Sequence, residues 1–423
     1  MNKIIDSITL LLYNIFLKGY FLFVLIASIW NKKAKQWIAG RKNIFQKIEE
    51  AKLTHKKNIW MHVASLGEFE QGRPIIELLK KQYPDYKIIL SFFSPSGFEI
   101  RKDYEFADHI FYLPHDGKKN SRKFIELINP KIAIFVKYDF WYWYFKNLHK
   151  KNIPLILVSS IFKKEQLFFK KFTGIFKRIL LYVNYFFVQD TPSKQLLNKY
   201  GYKNVSVIPD TRIDRVNQIC NEAGKKEIEL IEKFKNKEQL LIVGSSYETE
   251  EKYIHKLISS STFKGKVILA PHKIDEKHIS FIKNLFGNEA LFWSEVKDNK
   301  KIDTNKQIFV INTIGLLQYL YQYADIAIIG GGFNKSIHNT LEPATFGIPI
   351  IFGPNSHENF NEAIKLIKLK GAFLINNYED LKSTISYLQK EKNILESGEI
   401  CKNFIKDNTG GSAKVVSFIS KYL

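Results

Sequence analysis

From Asn58 onward the apolar residues fall into short continuous runs separated by stretches with helical spacing. Ile59 to Val63, Lys87 to Phe92, Lys131 to Val136, Pro154 to Val158 and Tyr185 to Val188 predict buried strands, with helices over Phe69 to Gln82, Ser121 to Ile128 and Phe140 to Lys150. Strands that are apolar throughout, rather than at alternate positions, are covered on both faces. This alternation therefore predicts a parallel sheet flanked by helices. A second series follows the charged stretch Asn221 to Lys237, which reads as a linker and a first helix. Its strands are Gln239 to Val243, Lys266 to Ala270, Ile308 to Ile311, Ala324 to Ile329 and Pro349 to Ile351. The prediction is an α/β chain of two doubly wound halves facing a cleft, with ligands held outside the carboxyl ends of strands.

The start of the chain breaks this pattern. Ile8 to Trp30 reads ITLLLYNIFLKGYFLFVLIASIW, interrupted by Asn14, Lys18 and Gly19 and followed by Lys32, Lys33 and Lys35. Such a length can cross a bilayer, and the following lysines would then keep the rest of the chain cytoplasmic. The alternative is a helix lying in the interface, with Trp30, Trp37 and tyrosines at headgroup level. A cleaved signal is disfavoured, because no small-residue cleavage site follows and the charges lie on the wrong side. Lysines 32, 33, 35, 42, 47, 52, 56 and 57 are expected to face anionic headgroups.

Composition narrows the function classes. With 45% hydrophobic and 14% aromatic residues, the 423-residue chain can fill two or three domains, which excludes disorder. The formal net charge is +22. Only seven of the 64 basic residues are arginine, and defined phosphate or guanine recognition leans on the guanidinium fork, so nucleic acid is disfavoured as the partner. Cys220 and Cys401 are far apart and form no redox or metal motif, consistent with a reducing compartment.

Four segments are placed to carry chemistry. Ser65-Leu66-Gly67-Glu68 joins a strand to a helix, where Gly67 allows a tight turn and Glu68 is placed as a general base, although helix N-termini favour carboxylates for dipole reasons alone. Ser94-Pro95-Ser96-Gly97 reads as an anion-holding helix start or as a plain turn. Lys137 and Asp139 end an otherwise buried strand, and beside these four segments Pro209 to Arg215 holds two of the arginines. In the fourth segment, GGGFNKSIHNTLEPATFGIPIIFGP from Gly330 to Pro354, the glycines allow close approach to a ligand. A helix near Asn339 offers N–H groups there, with Asn339 and Glu342 spaced as a capping box. There is no GxxxxGK[ST] loop, HExxH, CxxC or strand-end DxD cluster.

HVASLGE, SPSGFE, YLPHD, NPKIAIFVKYDFW, IPLILVSS, DTRIDRV, GSSYETEE, the Gly330 to Pro354 segment and ENF, in this order, resemble the Kdo (3-deoxy-D-manno-octulosonic acid) transferases over nearly the whole chain. The resemblance implies a GT-B glycosyltransferase fold of two Rossmann-like domains. The expected division is a membrane-anchor helix over 1–35, an acceptor-binding domain over 36–220 and a CMP-sugar-binding domain over 221–423. It implies inverting transfer of Kdo from CMP-Kdo to a phosphorylated lipid A precursor, lipid IVA, at the cytoplasmic face of the inner membrane, with no cofactor and no metal. Glu68 matches the general base, and Arg212 falls where a transition-state-stabilising lysine is common. Pro271, His272, Ile314, Gly315, Leu316, Asn339, Thr340, Leu341 and Glu342 match segments that hold CMP. Two departures stand out. Lys137 stands where many members have an acidic residue, so either Asp139 takes over that role or Lys137 works differently, on the acceptor's phosphate or the Kdo carboxylate, and the arginine usual beside His272 is missing or shifted. A GT-B enzyme with another nucleotide sugar or acceptor is the alternative.

Overall fold

A computed structural model describes residues 2–171, 173–223, 228–298 and 302–423. The chain divides into two units, Met1–Asp214 with Gly410–Leu423, and Arg215–Thr409. Its terminal segment therefore belongs with the first unit, whereas sequence reading placed it in a domain over 221–423. The cause is local: Val415, Val416 and Ile419 complete the apolar core of the first unit. Asp214 also accepts hydrogen bonds from the backbone N–H groups of Gly410 and Ser412 at 2.5 and 2.7 Å.

The first unit has seven strands: β1 (Asn58–Val63), β2 (Lys87–Phe92), β3 (His109–Tyr112), β4 (Pro130–Val136), β5 (Leu155–Ser160), β6 (Tyr185–Val188) and β7 (Val205–Val207). Their order is β3-β2-β1-β4-β5-β6-β7, and the observed pairings are parallel. The second unit repeats the plan with β8 (Leu240–Ser246), β9 (Lys266–Pro271), β10 (Ala290–Phe292), β11 (Ile308–Val310), β12 (Ile326–Ile329), β13 (Ile350–Phe352) and β14 (Ala372–Leu374), ordered β10-β11-β9-β8-β12-β13-β14. β1 and β8 are buried along nearly all their length, as strands sandwiched between helix layers must be. The first sheet reverses direction of growth between β1 and β4 and the second between β8 and β12, with β11 also inserted between β10 and β9 in the second, and such reversals open a crevice at the carboxyl edge.

The expected anchor over 1–35 is instead two helices, α1 (Asn2–Ala27) and α2 (Lys32–Arg41), with Asn31 capping the second by accepting from the Ala34 N–H. Residues Ile4–Ala27, with mean hydropathy 2.0, are long and apolar enough to cross a membrane. One side of α1 nevertheless packs on the first unit, where Leu10 and Tyr13 join the core around Trp60 and Phe135. Trp37 is not at a headgroup level: it is 4% exposed, and Arg41 stacks on it while donating to the carbonyls of Leu113 and Phe93. The lysines at 32, 33, 35, 42, 47, 52, 56 and 57 are all exposed.

Candidate active site

Glu68 lies in the first turn of the Leu66–Gln82 helix, directly beyond β1, and its carboxylate accepts from the Ser65 hydroxyl. Gly67 needs no glycine conformation here. A Cβ would meet nothing closer than Ser65 Oγ at 3.8 Å, so the expected tight turn is an ordinary helix start with open space on one side. Gly97 is the constrained glycine. Its Cβ would press on Phe92 at 2.5 Å and on the Ser65 backbone at 3.0 Å, which locks the two loops together. The Ser94 loop is not an anion cradle, because Ser94 Oγ takes the Ser96 N–H and Ser94 O takes those of Gly97 and Phe98.

β4 ends in Lys137, whose φ of +60° is uncommon for a side-chain-bearing residue and marks a locally constrained backbone. Its N–H still bonds Val158 O, and Ser160 Oγ donates to its carbonyl at 3.0 Å. Two residues on, Asp139 accepts from His62 Nε2 at 2.8 Å. Strand register explains the pair. His62 lies opposite Ser91 on β2, and Trp60 lies two residues earlier on the same face. The Trp60 indole donates to Ser91 Oγ at 2.8 Å, and Ser91 Oγ lies 2.8 Å from His62 Nδ1. The Asp139 carboxylate only accepts, so Nε2 carries the hydrogen, and in the neutral ring Nδ1 is left to accept the Ser91 proton while Ser91 Oγ accepts from the indole. His62, Ser91 and Trp60 are fully buried, which fixes this chain of contacts.

Arg212 opens the helix after β7 and is committed to a partner. Its Nε and Nη2 reach the Asp210 carboxylate at 3.1 and 2.7 Å, and its backbone N–H adds a third bond at 2.9 Å. Gln71 and Gln189 also donate to Asp210, at 3.2 and 3.0 Å. Burial alone would push the Asp210 pKa up, but Arg212 and then Lys137 outweigh it and hold the pKa below the usual carboxylate range. Lys137 adds a weaker, longer-range attraction to the same carboxylate.

In the second unit the matched segments follow three strands, β11, β9 and β12, with β8 lying between β9 and β12. Pro271 ends β9, and the ring of His272 stacks on Tyr247 at 4.9 Å and lies 4.6 Å from the ring of His338. Burial, with Lys273 and His278 nearby, lowers the His272 pKa, while burial beside His272 pushes His338 down to about 4. Beyond β11, Ile314 is 86% exposed and Gly315 has φ +94°, which favours glycine. The three glycines are used against the protein's own backbone rather than to free a surface. A Cβ on Gly330 would meet Ser245 O at 2.1 Å, and one on Gly332 would meet Gly353 N at 2.6 Å. Gly331 N donates to Glu250 Oε1 at 2.9 Å.

The helix expected near Asn339 is the short Leu341–Thr345 turn, N-capped by Thr340. The expected capping box led by Asn339 is not the arrangement seen: Thr340 holds the N-cap position, Asn339 Oδ1 accepts from Leu341 N at 3.1 Å and its Nδ2 donates to the Glu342 side chain at 2.9 Å. Thr340 and Leu341 are buried. Glu251, absent from the sequence candidates, is fully buried between Ser246 Oγ and His278 Nε2 at 2.8 and 2.9 Å, where it ties the β8 loop to the Glu276–Phe286 helix. Among the described residues no group of three or more His, Cys, Asp or Glu side chains is arranged to hold a metal.

The family model for 3-deoxy-D-manno-octulosonic-acid transferase (kdotransferase) matches residues 39–215. The 3-deoxy-D-manno-octulosonic acid transferase of Aquifex aeolicus is 29% identical over 80% of this chain and 87% of its own length. That of Haemophilus influenzae is 23% identical over 95% of each. Among solved structures, UDP-GlcNAc 2-epimerase from Neisseria meningitidis bound to UDP-GlcNAc superposes with a TM-score of 0.60 at 13% identity. The match spans 86% of this chain and all of that one, a likeness of fold alone. With two doubly wound sheets of the GT-B type and these relatives along nearly its whole length, the chain is a glycosyltransferase similar to the Kdo transferases.

Proposed function

We propose that the chain is an inverting transferase that moves Kdo from CMP-Kdo to a hydroxyl of the phosphorylated lipid A precursor lipid IVA, at the cytoplasmic face of the inner membrane. The observation that carries this reading is the placement of Glu68 at the reversal of the first sheet, with open space beside Gly67, in a chain similar to this family. The Glu68 carboxylate takes the proton of the acceptor hydroxyl as its oxygen attacks the anomeric carbon of Kdo. The bond from that carbon to the phosphate oxygen breaks on the opposite side, and CMP leaves with the electron pair. The configuration inverts.

The guanidinium of Arg212 and the ammonium of Lys137 are suited to offset charge on the departing phosphate or on the Kdo carboxylate. Arg212 acts from a fixed orientation because Asp210 grips it. Asp139, held by His62, supplies the carboxylate at the end of β4 that Lys137 cannot. In the second unit, Pro271, His272, Ile314, Gly315, Leu316, Asn339, Thr340, Leu341 and Glu342 would hold CMP. Stacking rings and an exposed isoleucine suit a base, and Glu342 suits ribose hydroxyls. His272, with its lowered pKa, replaces the missing arginine as a neutral ring rather than as a charge.

Thermal unfolding with added nucleotide tests the donor. CMP should raise the melting temperature in a concentration-dependent way, by ligand linkage, while UDP and ADP leave it unchanged. Stabilisation by UDP and not by CMP would remove CMP-Kdo as the donor.

A further inference from the structure

The face of α1 turned away from the first unit is apolar from end to end. Ile4, Ile8, Leu11, Ile15, Leu22 and Ile26 are each 49–67% exposed. Their spacing of three, four and seven residues puts them on one stripe of a helix. The opposite stripe is fastened to the domain by polar contacts. Asp6 pairs with Arg178, and Thr9 Oγ1 accepts from the Ile175 N–H at 3.2 Å. Tyr13 donates to the buried Asp116 at 2.6 Å, and Trp143 Nε1 donates to Asn14 Oδ1 at 2.9 Å. Farther along, Tyr20 packs edge-on against Trp37 and Phe21 against His115, with ring centroids 6.1 and 4.5 Å apart.

A helix crossing the bilayer would have to give up these contacts. Asp6 and Asn14 would face hydrocarbon, and Asp116, which also accepts from the N–H groups of Trp143 and Tyr144, would lose a buried partner. We infer that α1 does not span the membrane but lies along its surface, as a strut glued to the first unit on one side and bedded in an anionic bilayer on the other. The exposed lysines 18, 32, 33 and 35 flank the stripe and match anionic headgroups, and Trp30, 71% exposed, suits the interface. This placement rests on membrane association and not on the identity of the donor.

The test uses the full chain with Cys220→Ser and an environment-sensitive fluorophore on a cysteine introduced singly as Ile4→Cys, Ile15→Cys or Ile26→Cys. These sites lie on the same stripe over about 33 Å of helix. Bound to vesicles of phosphatidylcholine with phosphatidylglycerol, all three should be quenched to the same shallow depth by depth-graded spin-labelled lipids. A profile that is shallow, deep and shallow along the three sites would overturn the proposal in favour of a span. The pair Ile15→Glu with Leu22→Glu should abolish flotation with vesicles and leave the melting temperature unchanged. Replacing the phosphatidylglycerol with phosphatidylcholine should weaken binding about tenfold or more. If the unlabelled chain fails to bind either vesicle, or forms a dimer that the Glu pair dissociates while vesicle binding persists, lipid is not the occupant of this face.

Discussion

At the carboxyl edge of the first sheet the strand ends present Glu68, Lys137, Asp139 and, after β7, Asp210 with Arg212. The corresponding edge of the second sheet presents Tyr247, His272, glycines packed on backbone, and an exposed Ile314. Both sheets have seven strands and a reversal beside their first strand, but the furnishing differs. Charged groups held by buried hydrogen bonds suit bond breaking, whereas stacked neutral rings and tightly packed loops suit holding a flat base by shape. Substitutions at the first edge should therefore depress turnover and those at the second should depress stability or nucleotide affinity.

The largest effect is expected at Glu68. Glu68→Gln keeps the side-chain size and an acceptor for the Ser65 hydroxyl, and turnover should fall about 10²- to 10⁴-fold with the melting temperature unchanged. Next is Asp210→Ala, which removes the carboxylate that orients Arg212, and turnover should fall about 10²-fold. Denaturant unfolding reads the accompanying loss of its hydrogen bonds to Gln71 and Gln189. At the second edge, Gly332→Ala forces a methyl onto the Gly353 backbone and should cost about 1–3 kcal/mol, read by the same unfolding curves. His62→Gln should lower kcat about tenfold with KM for the donor little changed, because Asp139 loses its orienting donor. A merely structural His62 would instead lower the melting temperature and leave kcat intact.

The smallest effect is a pH slope. His338 has its folded pKa pushed down to about 4 from 6.5, so the unfolded state binds more protons between those values. Its contribution is complete above pH 6.5 and is lost as the pH falls toward 4. The melting temperature should drop across that window, and His338→Gln should flatten the drop.

The buried strands were legible because each is a continuous apolar run bounded by turn residues, and β1, β2 and β6 start or end within a residue of the expected positions. The edge strands β3, β7, β10 and β14 were not. They have three or four residues each, too few to show a period, and are set by pairing with a neighbour. Glu68, Asp139 and Arg212 stood out as charges beside apolar strands. Their keepers did not: His62 and Asp139 are 77 residues apart, and Gln71 and Asp210 are 139 apart. Such pairings come from sheet register and chain return, which a single sequence does not display. The glycines of the Gly330 segment were legible as constrained, but the surface they serve, the Ser245 and Gly353 backbones, was not.

The central claim is that Glu68 is the base in Kdo transfer to a lipid A precursor. Mass spectrometry of lipid IVA incubated with CMP-Kdo and either the unaltered chain or Glu68→Gln tests it most directly. The account predicts lipid heavier by one or more Kdo units with the unaltered chain, and unmodified lipid with the folded variant. Unmodified lipid with both, or full conversion by Glu68→Gln, would contradict it.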